Sequence, residues 1–141
     1  MEGTTTLAAP ADNTKVQLWA GRILSGVSIL FFAMDGVFKV VMPQKMIEMS
    51  PPSMGWPADT GLYILLGSLL LISTALYAYR RTSVLGAILL TGYLGGAVAT
   101  HLRVYDPVFS HTLFGVYLGV AAWGGVWFRN PRLRALIPLA T

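Results

Sequence analysis

The sequence contains no cysteine. This absence excludes disulfide bonds, thiolate metal ligands, thiol catalysis and iron–sulfur clusters held by the chain itself. Charge is also scarce, because only 11% of the 141 residues are Asp, Glu, Lys or Arg, whereas soluble domains contain about 25%. With 55% hydrophobic residues, this shortage of charge indicates a single domain whose main solvent is lipid.

Recognisable cofactor and nucleotide signatures are missing as well. The sequence has no glycine-rich phosphate loop. His101, His111, Asp35 and Glu48 carry atoms that bind metals, but their spacing matches no metal-ligand pattern. The net charge of +4 comes from basic residues placed between apolar runs rather than in a patch. We therefore expect no metal, no intrinsic cofactor and no nucleic-acid partner.

Four apolar stretches are long enough to cross a bilayer, which requires about 20 residues. They cover residues 17–41, 60–79, 82–100 and 108–128. The predicted fold is all-α, with a membrane-embedded four-helix bundle over residues 17–129. We expect a disordered tail at residues 1–16 and a cytoplasmic tail at residues 130–141. The loop before the second stretch contains four prolines and is expected to be an irregular connector or an interfacial lid.

The distribution of Lys and Arg predicts the orientation, because these residues concentrate in cytoplasmic loops. With both termini inside, seven basic residues lie on the cytoplasmic side, and three lie outside, namely Lys39, Lys45 and Arg103. The first apolar run is also longer than the core of a signal peptide, which has about 7–15 residues. We therefore expect a multi-pass protein of the bacterial inner membrane with a retained first helix.

The first span contains a charge that it cannot keep out of the membrane. Its uncharged centre, residues 23–34, has twelve residues. At about 1.5 Å per residue it covers roughly 18 Å, which is less than a hydrocarbon core of about 30 Å. Arg22 and Lys39 can extend to the headgroups, but the short side chain of Asp35 cannot. A carboxylate at this depth costs about 3 kcal/mol, so we expect Asp35 to face the protein interior.

Lys39 lies four residues after Asp35, on the same helix face. The face continues backward through small and polar residues and one aromatic residue, namely Phe32, Ser28, Ser25 and Gly21, which predicts that it is buried. Three interpretations of the Asp35–Lys39 pair stay open. The pair locks the helix into the bundle, it handles a proton or a ligand, or Asp35 reaches the interface and does neither.

The predicted topology brings many polar residues toward the outer face: Asp35, Lys39, Glu48, Asp59, His101, Arg103, Asp106 and His111. His101 is a side chain that exchanges protons near neutral pH, and with Asp35 it would form a catalytic acid–base pair. Arg103 would supply positive charge to an anionic oxygen, and Lys39 and His111 would complete a ligand-binding site. Alternatively, His101 is an ordinary interfacial residue at a helix end.

Two glycine pairs at a spacing of four residues occur in the third and fourth spans. These pairs, Gly92 with Gly96 and Gly115 with Gly119, predict close approach of neighbouring helices. They would alternatively leave room for a flat apolar ligand, because sites in helix bundles lie between helices.

Three segments resemble the DoxX-like family of small four-helix bacterial membrane proteins. They are “MDGVFK”, “GYLGGAVATHLR” and “HTLFGVYLGVAAWGGVWFRNPRLRALIPL”, and the resemblance extends from Gly21 to Leu139. It implies an inner-membrane protein that is associated with redox chemistry, because the family name derives from a subunit of a quinone-linked oxidase or of thiosulfate oxidation. The resemblance assigns no catalytic role to any residue.

These observations lead to one main functional hypothesis and two alternatives. The protein would bind a small hydrophobic metabolite, such as a quinone, and serve as a membrane subunit or accessory of a redox process. Its partners would be lipid, this metabolite, and a membrane oxidoreductase or further copies of the chain. Whether it is an enzyme stays open. The alternatives are a stand-alone isomerase or lyase that uses Asp35 and His101, and a non-catalytic protein for structure or assembly.

Overall fold

The computed structural model describes residues 12–137. Within this range the chain forms six α-helices: α1 (Lys15–Val41), α2 (Pro43–Met49), α3 (Thr60–Ala78), α4 (Ser83–Arg103), α5 (Phe114–Arg129) and α6 (Pro131–Leu136). A 3-10 turn at Pro52–Met54 lies in the first loop, and a π-helical turn at Val108–Thr112 precedes α5. Most of the predicted disordered tail and the last four residues of the predicted cytoplasmic tail lie outside the described residues.

Capping side chains mark where several helices begin. Thr14 and Gln17 form a capping box at the start of α1, in which each side chain accepts from the backbone N–H of the other residue. The carboxylate of Asp59 accepts from a backbone N–H in the first turn of α3. Asn130 caps α6, whose first backbone N–H groups donate to its side chain. The predicted C-terminal tail therefore contains a short helix, and this helix packs on α5.

Three helices of the described chain, α1, α3 and α4, are long and apolar enough to cross a membrane. The fourth predicted span differs from its expected form. α5 has 16 residues, which cover roughly 24 Å at about 1.5 Å per residue. It begins at Phe114 because Pro107 is followed by the π-helical turn instead of by regular α-helix.

Four helices surround a common core. α1 packs against α3 and α5, and α4 packs against the same two helices. The core consists mainly of apolar side chains: Phe32, Leu70, Tyr77, Ala87, Leu90, Leu94, Ala122, Val126 and Leu133. The predicted buried face of α1 is confirmed, and Gly36 extends it.

The outward faces of these helices are apolar. Large exposed hydrophobic residues occur on all four of them: Ile23, Val27, Leu30, Met34, Leu65, Leu69, Ile72, Leu85, Ile88, Val116 and Val120. Monomeric soluble proteins rarely expose contiguous apolar surface of this extent. The outward surface of these helices is therefore suited to contact with lipid.

Tyr77 joins three helices at the end of the core near the α3–α4 connection. Its side chain is completely buried. Its hydroxyl donates to the carbonyl oxygen of Ala122 at 2.7 Å and lies 3.1 Å from Ser25 Oγ. The absence of a side chain at Gly125 makes this contact possible, since a Cβ there would lie 2.3 Å from Ser25 Oγ.

The α3–α4 hairpin is closed near its connection and open further along. A Cβ added to Gly86 would lie 2.2 Å from the backbone nitrogen of Tyr77, so the two backbones touch there. A Cβ added to Gly92, Gly95 or Gly96 would have no described atom within 4 Å. One side of α4 is therefore uncovered over its second half.

The two glycine pairs consequently differ in their surroundings. Gly115 packs closely against α4, because an added Cβ would lie 3.1 Å from Val98 Cγ2, and Gly119 contacts Leu94. The prediction of close helix packing is confirmed for Gly115, whereas at Gly119 an added Cβ would make only an ordinary contact, 3.7 Å from Leu94 Cδ1. For Gly92 and Gly96 it is wrong within the described chain, because both lie on an open side of α4.

Candidate functional site

A cavity of about 530 Å³ lies among α1, α3, α4 and the start of α5, and the first loop covers it. Its apolar wall includes Phe31, Leu66, Leu70, Leu94, Phe114 and Leu118. Sites for small molecules have volumes of about 300–1,000 Å³ and are mostly apolar with a few polar groups. The cavity matches this description in size and in the character of its wall.

Four of the five predicted site residues line this cavity, namely Asp35, Lys39, His101 and His111. α1, α4 and the π-helical turn contribute them, so the topology does bring these distant parts of the sequence together. The fifth, Arg103, lies outside the cavity wall. Its Nη2 group donates to the carbonyl oxygen of Met54, so the guanidinium fastens the first loop to the end of α4.

Asp35 and Lys39 form an ion pair within α1 between Oδ2 and Nζ. The Lys39 side chain is 14% exposed and that of Asp35 is 32% exposed. Pairing offsets part of the cost of holding either charge away from water. The pair gives one wall of the cavity strong polarity without net charge.

Tyr93 is a lining residue that the sequence analysis did not identify. It is partly buried against the core, lines the cavity and lies within electrostatic reach of Asp35. The signal that could have identified it is its position eight residues before His101, which places both on one face of α4. Thr100 also lines the cavity.

The first loop is held over the cavity by side-chain contacts. The hydroxyls of Ser50 and Tyr63 lie 2.7 Å apart, and the Trp56 ring packs 6.4 Å from that of Tyr63, measured between centroids. Arg103 adds its hydrogen bond to Met54. The first loop therefore forms the roof of the cavity, and its contacts with residues of α3 and α4 hold it in place.

His101 and His111 lie beside each other, with ring centroids 6.2 Å apart and planes inclined by 54°. Nδ1 of His101 lies 2.7 Å from Asp106 Oδ2. Nδ1 of His111 lies 2.8 Å from Ser110 Oγ. His101 thus shares a cavity with Asp35 while its direct partner is Asp106. Between residues 12 and 137 no group of three or more His, Asp or Glu residues is arranged to hold a metal.

A second groove of about 400 Å³ lies between α4 and α5 and is almost entirely apolar. Gly95, Gly119, Val120 and Trp123 contribute to its lining. The indole N–H of Trp123 donates to Thr91 Oγ1 at 2.7 Å across this groove. Gly95 therefore belongs to a different surface from Gly92 and Gly96, which line the main cavity.

Three apolar helices of membrane-spanning length and an apolar outer surface define a membrane protein. The chain belongs to the DoxX-like family, whose family model matches residues 23–125. The matched segment contains all five predicted site residues together with α3 and α4. No curated protein and no solved structure matches the chain.

Proposed function

We propose that the protein binds a small hydrophobic metabolite in the cavity of about 530 Å³. The observation that carries this proposal is the composition of the wall, which combines an apolar interior with Asp35, Lys39, His101 and His111. A molecule with a flat apolar body and one or two polar oxygens complements such a wall. A quinone is the first candidate, because it has this shape and dissolves in lipid.

The uncovered side of α4 supports entry of the metabolite from the membrane. Gly92 and Gly96 line the cavity and have no described atom within 4 Å of an added Cβ. A lipid-soluble molecule reaches the cavity between α3 and α4 at this level. It does not need to cross the roof or pass through water.

In the proposed membrane arrangement α1, α3, α4 and α5 form a four-helix bundle with both termini inside. The π-helical turn and α5 together run from Val108 to Arg129, a stretch of 22 residues, and a span requires about 20. The excess of Lys and Arg near both termini and at the α3–α4 connection supports this orientation. The cavity then lies toward the outer face of the bacterial inner membrane.

The proposed biological role is that of a membrane subunit or accessory of a redox process. The chain has no cysteine and therefore holds no iron–sulfur cluster of its own. A membrane oxidoreductase partner would exchange electrons with the bound metabolite. Further copies of the chain are the other candidate partner.

Co-purification tests metabolite binding directly. The protein is extracted in mild detergent, and its bound small molecules are identified by mass spectrometry. Gly96→Leu is expected to abolish the bound species, because the added side chain enters the cavity. Gly95→Leu is the matched control, since Gly95 is equally open but lines the second groove, between α4 and α5. The proposal is contradicted if wild type carries no bound small molecule. It is also contradicted if the two variants carry equal amounts of that molecule.

A second candidate function is acid–base catalysis on a lipid-soluble carbonyl compound. The shared cavity of Asp35 and His101 favours it, since an acid and a base facing one ligand can exchange its protons. Isomerisation of apolar enones is measured with wild type and with Asp35→Asn and His101→Gln. Turnover that is lost in both folded variants supports an enzyme, and unchanged turnover eliminates these two residues as acid and base.

A further inference from the structure

The structure assigns a role to Asp106, a residue of the turn after α4. We propose that Asp106 positions His101 so that Nε2 of the imidazole accepts a hydrogen bond from a ligand hydroxyl. Phenols and hydroquinones, which are the reduced form of the quinones proposed above, are then the ligand class that the cavity selects, because a quinone itself has no O–H group to donate. This inference rests on the proposed function of the cavity and specifies the chemistry at its polar end.

The contact between Asp106 and His101 fixes where the imidazole carries its proton. An ionised carboxylate only accepts hydrogen bonds, and Asp106 Oδ2 lies 2.7 Å from His101 Nδ1. Nδ1 therefore carries hydrogen. In the neutral ring Nε2 then presents a lone pair, and no partner for it occurs among residues 12–137. The proposal places this acceptor toward a bound ligand, because His101 lines the cavity.

The backbone of the turn holds Asp106 in place on both sides. Its N–H donates to the carbonyl oxygen of His101 at 3.2 Å. Its own carbonyl oxygen accepts from the hydroxyl of Thr112 at 3.3 Å, and Thr112 is buried. The backbone of Asp106 is thus held both to the end of α4 and to the π-helical turn, the two elements that carry the histidines.

The preceding residue shows that this placement is costly. Tyr105 has a φ of 57°, in the left-handed region, which residues other than glycine rarely adopt because the conformation is strained. Its side chain is 95% exposed, so packing of the ring does not explain the conformation. The strained backbone lets the chain reverse between Arg103 and Asp106 and brings the carboxylate back to His101.

His111 does not offer the same defined acceptor. Its Nδ1 neighbour is the hydroxyl of Ser110, which can donate or accept, so the proton position is not fixed. Asp35 and Lys39 also face the cavity, but each is engaged by the other. In this part of the wall, His101 is therefore the histidine in which a carboxylate fixes which ring nitrogen is the acceptor.

A phenol and its methyl ether together test whether the cavity selects a ligand that donates a hydroxyl hydrogen. A site that receives an O–H group disfavours an analogue without that hydrogen, because the analogue covers the lone pair without giving it a hydrogen-bond partner. We expect 4-octylphenol to bind about tenfold more tightly than 4-octylanisole, a difference of about 1.4 kcal/mol. The two probes share the same apolar body, so their ratio isolates the hydroxyl.

The experiment measures binding of both probes to the protein in lipid nanodiscs by equilibrium dialysis, with empty nanodiscs subtracted. In wild type the phenol is preferred. In Asp106→Asn the preference falls, because an amide can donate to Nδ1 and reverse the tautomer, and in His101→Phe it disappears. Asp59→Asn is the control, since asparagine also caps helices and Asp59 lies outside the cavity wall; its preference is unchanged.

The outcomes separate the two proposals. If neither probe binds wild type, metabolite binding in the cavity is overturned. If both probes bind wild type equally, the cavity stands and the role of His101 and Asp106 is overturned. The same conclusion follows if the preference survives in Asp106→Asn and His101→Phe. Retained binding of 4-octylanisole shows that each variant is folded, and the wild-type comparison of the two probes needs no variant.

Discussion

The hydroxyl groups of Ser25 and Tyr77 lie 3.1 Å apart in the buried contact between α1 and α3. Tyr77 donates its single hydrogen to Ala122, so Ser25 is the donor in this contact. Lipid is as apolar as the helix surfaces, so helices in a membrane associate largely through close packing and such hydrogen bonds. The pair therefore holds together the closed end of the molecule.

Removing this hydroxyl should weaken the fold. Tyr77→Phe is expected to lower the free energy of unfolding by about 1–2 kcal/mol, because Ser25 and the Ala122 carbonyl lose a partner. Unfolding in detergent measures the change. Tyr79→Phe is the control, since that side chain is exposed and its loss should have no effect. Equal stability of the two variants would show that the buried hydroxyl contributes nothing.

A methyl group should be tolerated at one end of the α3–α4 hairpin and not at the other. Gly86→Ala is expected to destabilise the protein by about 1–3 kcal/mol, because the obstacle is the backbone of Tyr77. Gly92→Ala should be neutral or stabilising by about 0.5–1 kcal/mol, as alanine favours helix. Thermal unfolding of both variants tests this difference in packing. The opposite order would refute it.

The Asp35–Lys39 ion pair predicts non-additive effects on stability. Asp35→Asn and Lys39→Met should each cost roughly 2 kcal/mol, because each leaves a largely desolvated charge without its partner. The double variant should cost less than the sum of the two by about 0.5–3 kcal/mol. A double-mutant cycle in detergent measures this coupling. Strictly additive losses would mean that the two charges act independently.

Because the chain has no cysteine, single introduced cysteines can report the orientation. Ser53→Cys, in the first loop, should react with a membrane-impermeant maleimide in intact cells. Tyr79→Cys, near the α3–α4 connection, and Ala135→Cys, in α6, should react only after permeabilisation. All three residues are exposed. Labelling of Ala135→Cys from outside would show that α5 does not cross the membrane.

The helices, and the gathering of polar residues at one end of them, were largely predictable because lipid restricts what a sequence can contain. Charge-free runs of membrane length indicate where α3 and α4 lie, a long apolar run with few charges indicates α1, and the cost of Asp35 in lipid indicates that it faces inward. The family resemblance was confirmed over residues 23–125. These predictions needed only the length of a run and the energetic cost of a charge.

The partners of individual side chains were not predictable, because they depend on turn geometry. The left-handed Tyr105 gives His101 its carboxylate, and no sequence pattern marks tyrosine for that conformation. Arg103 reaches the first loop through a fold that no local spacing reveals. Gly92 with Gly96 and Gly115 with Gly119 have the same spacing, and only the path of the neighbouring helix distinguishes them.

For the proposed metabolite, which would enter beside Gly92 and Gly96, the bilayer is the reservoir that fills the cavity. A solute that arrives from the hydrocarbon phase equilibrates with its mole fraction in the bilayer, and the aqueous concentration matters only through partitioning. Added lipid dilutes such a solute even when the total amount in the sample is constant. Binding curves at different lipid-to-protein ratios should therefore superimpose when they are plotted against the solute-to-lipid ratio.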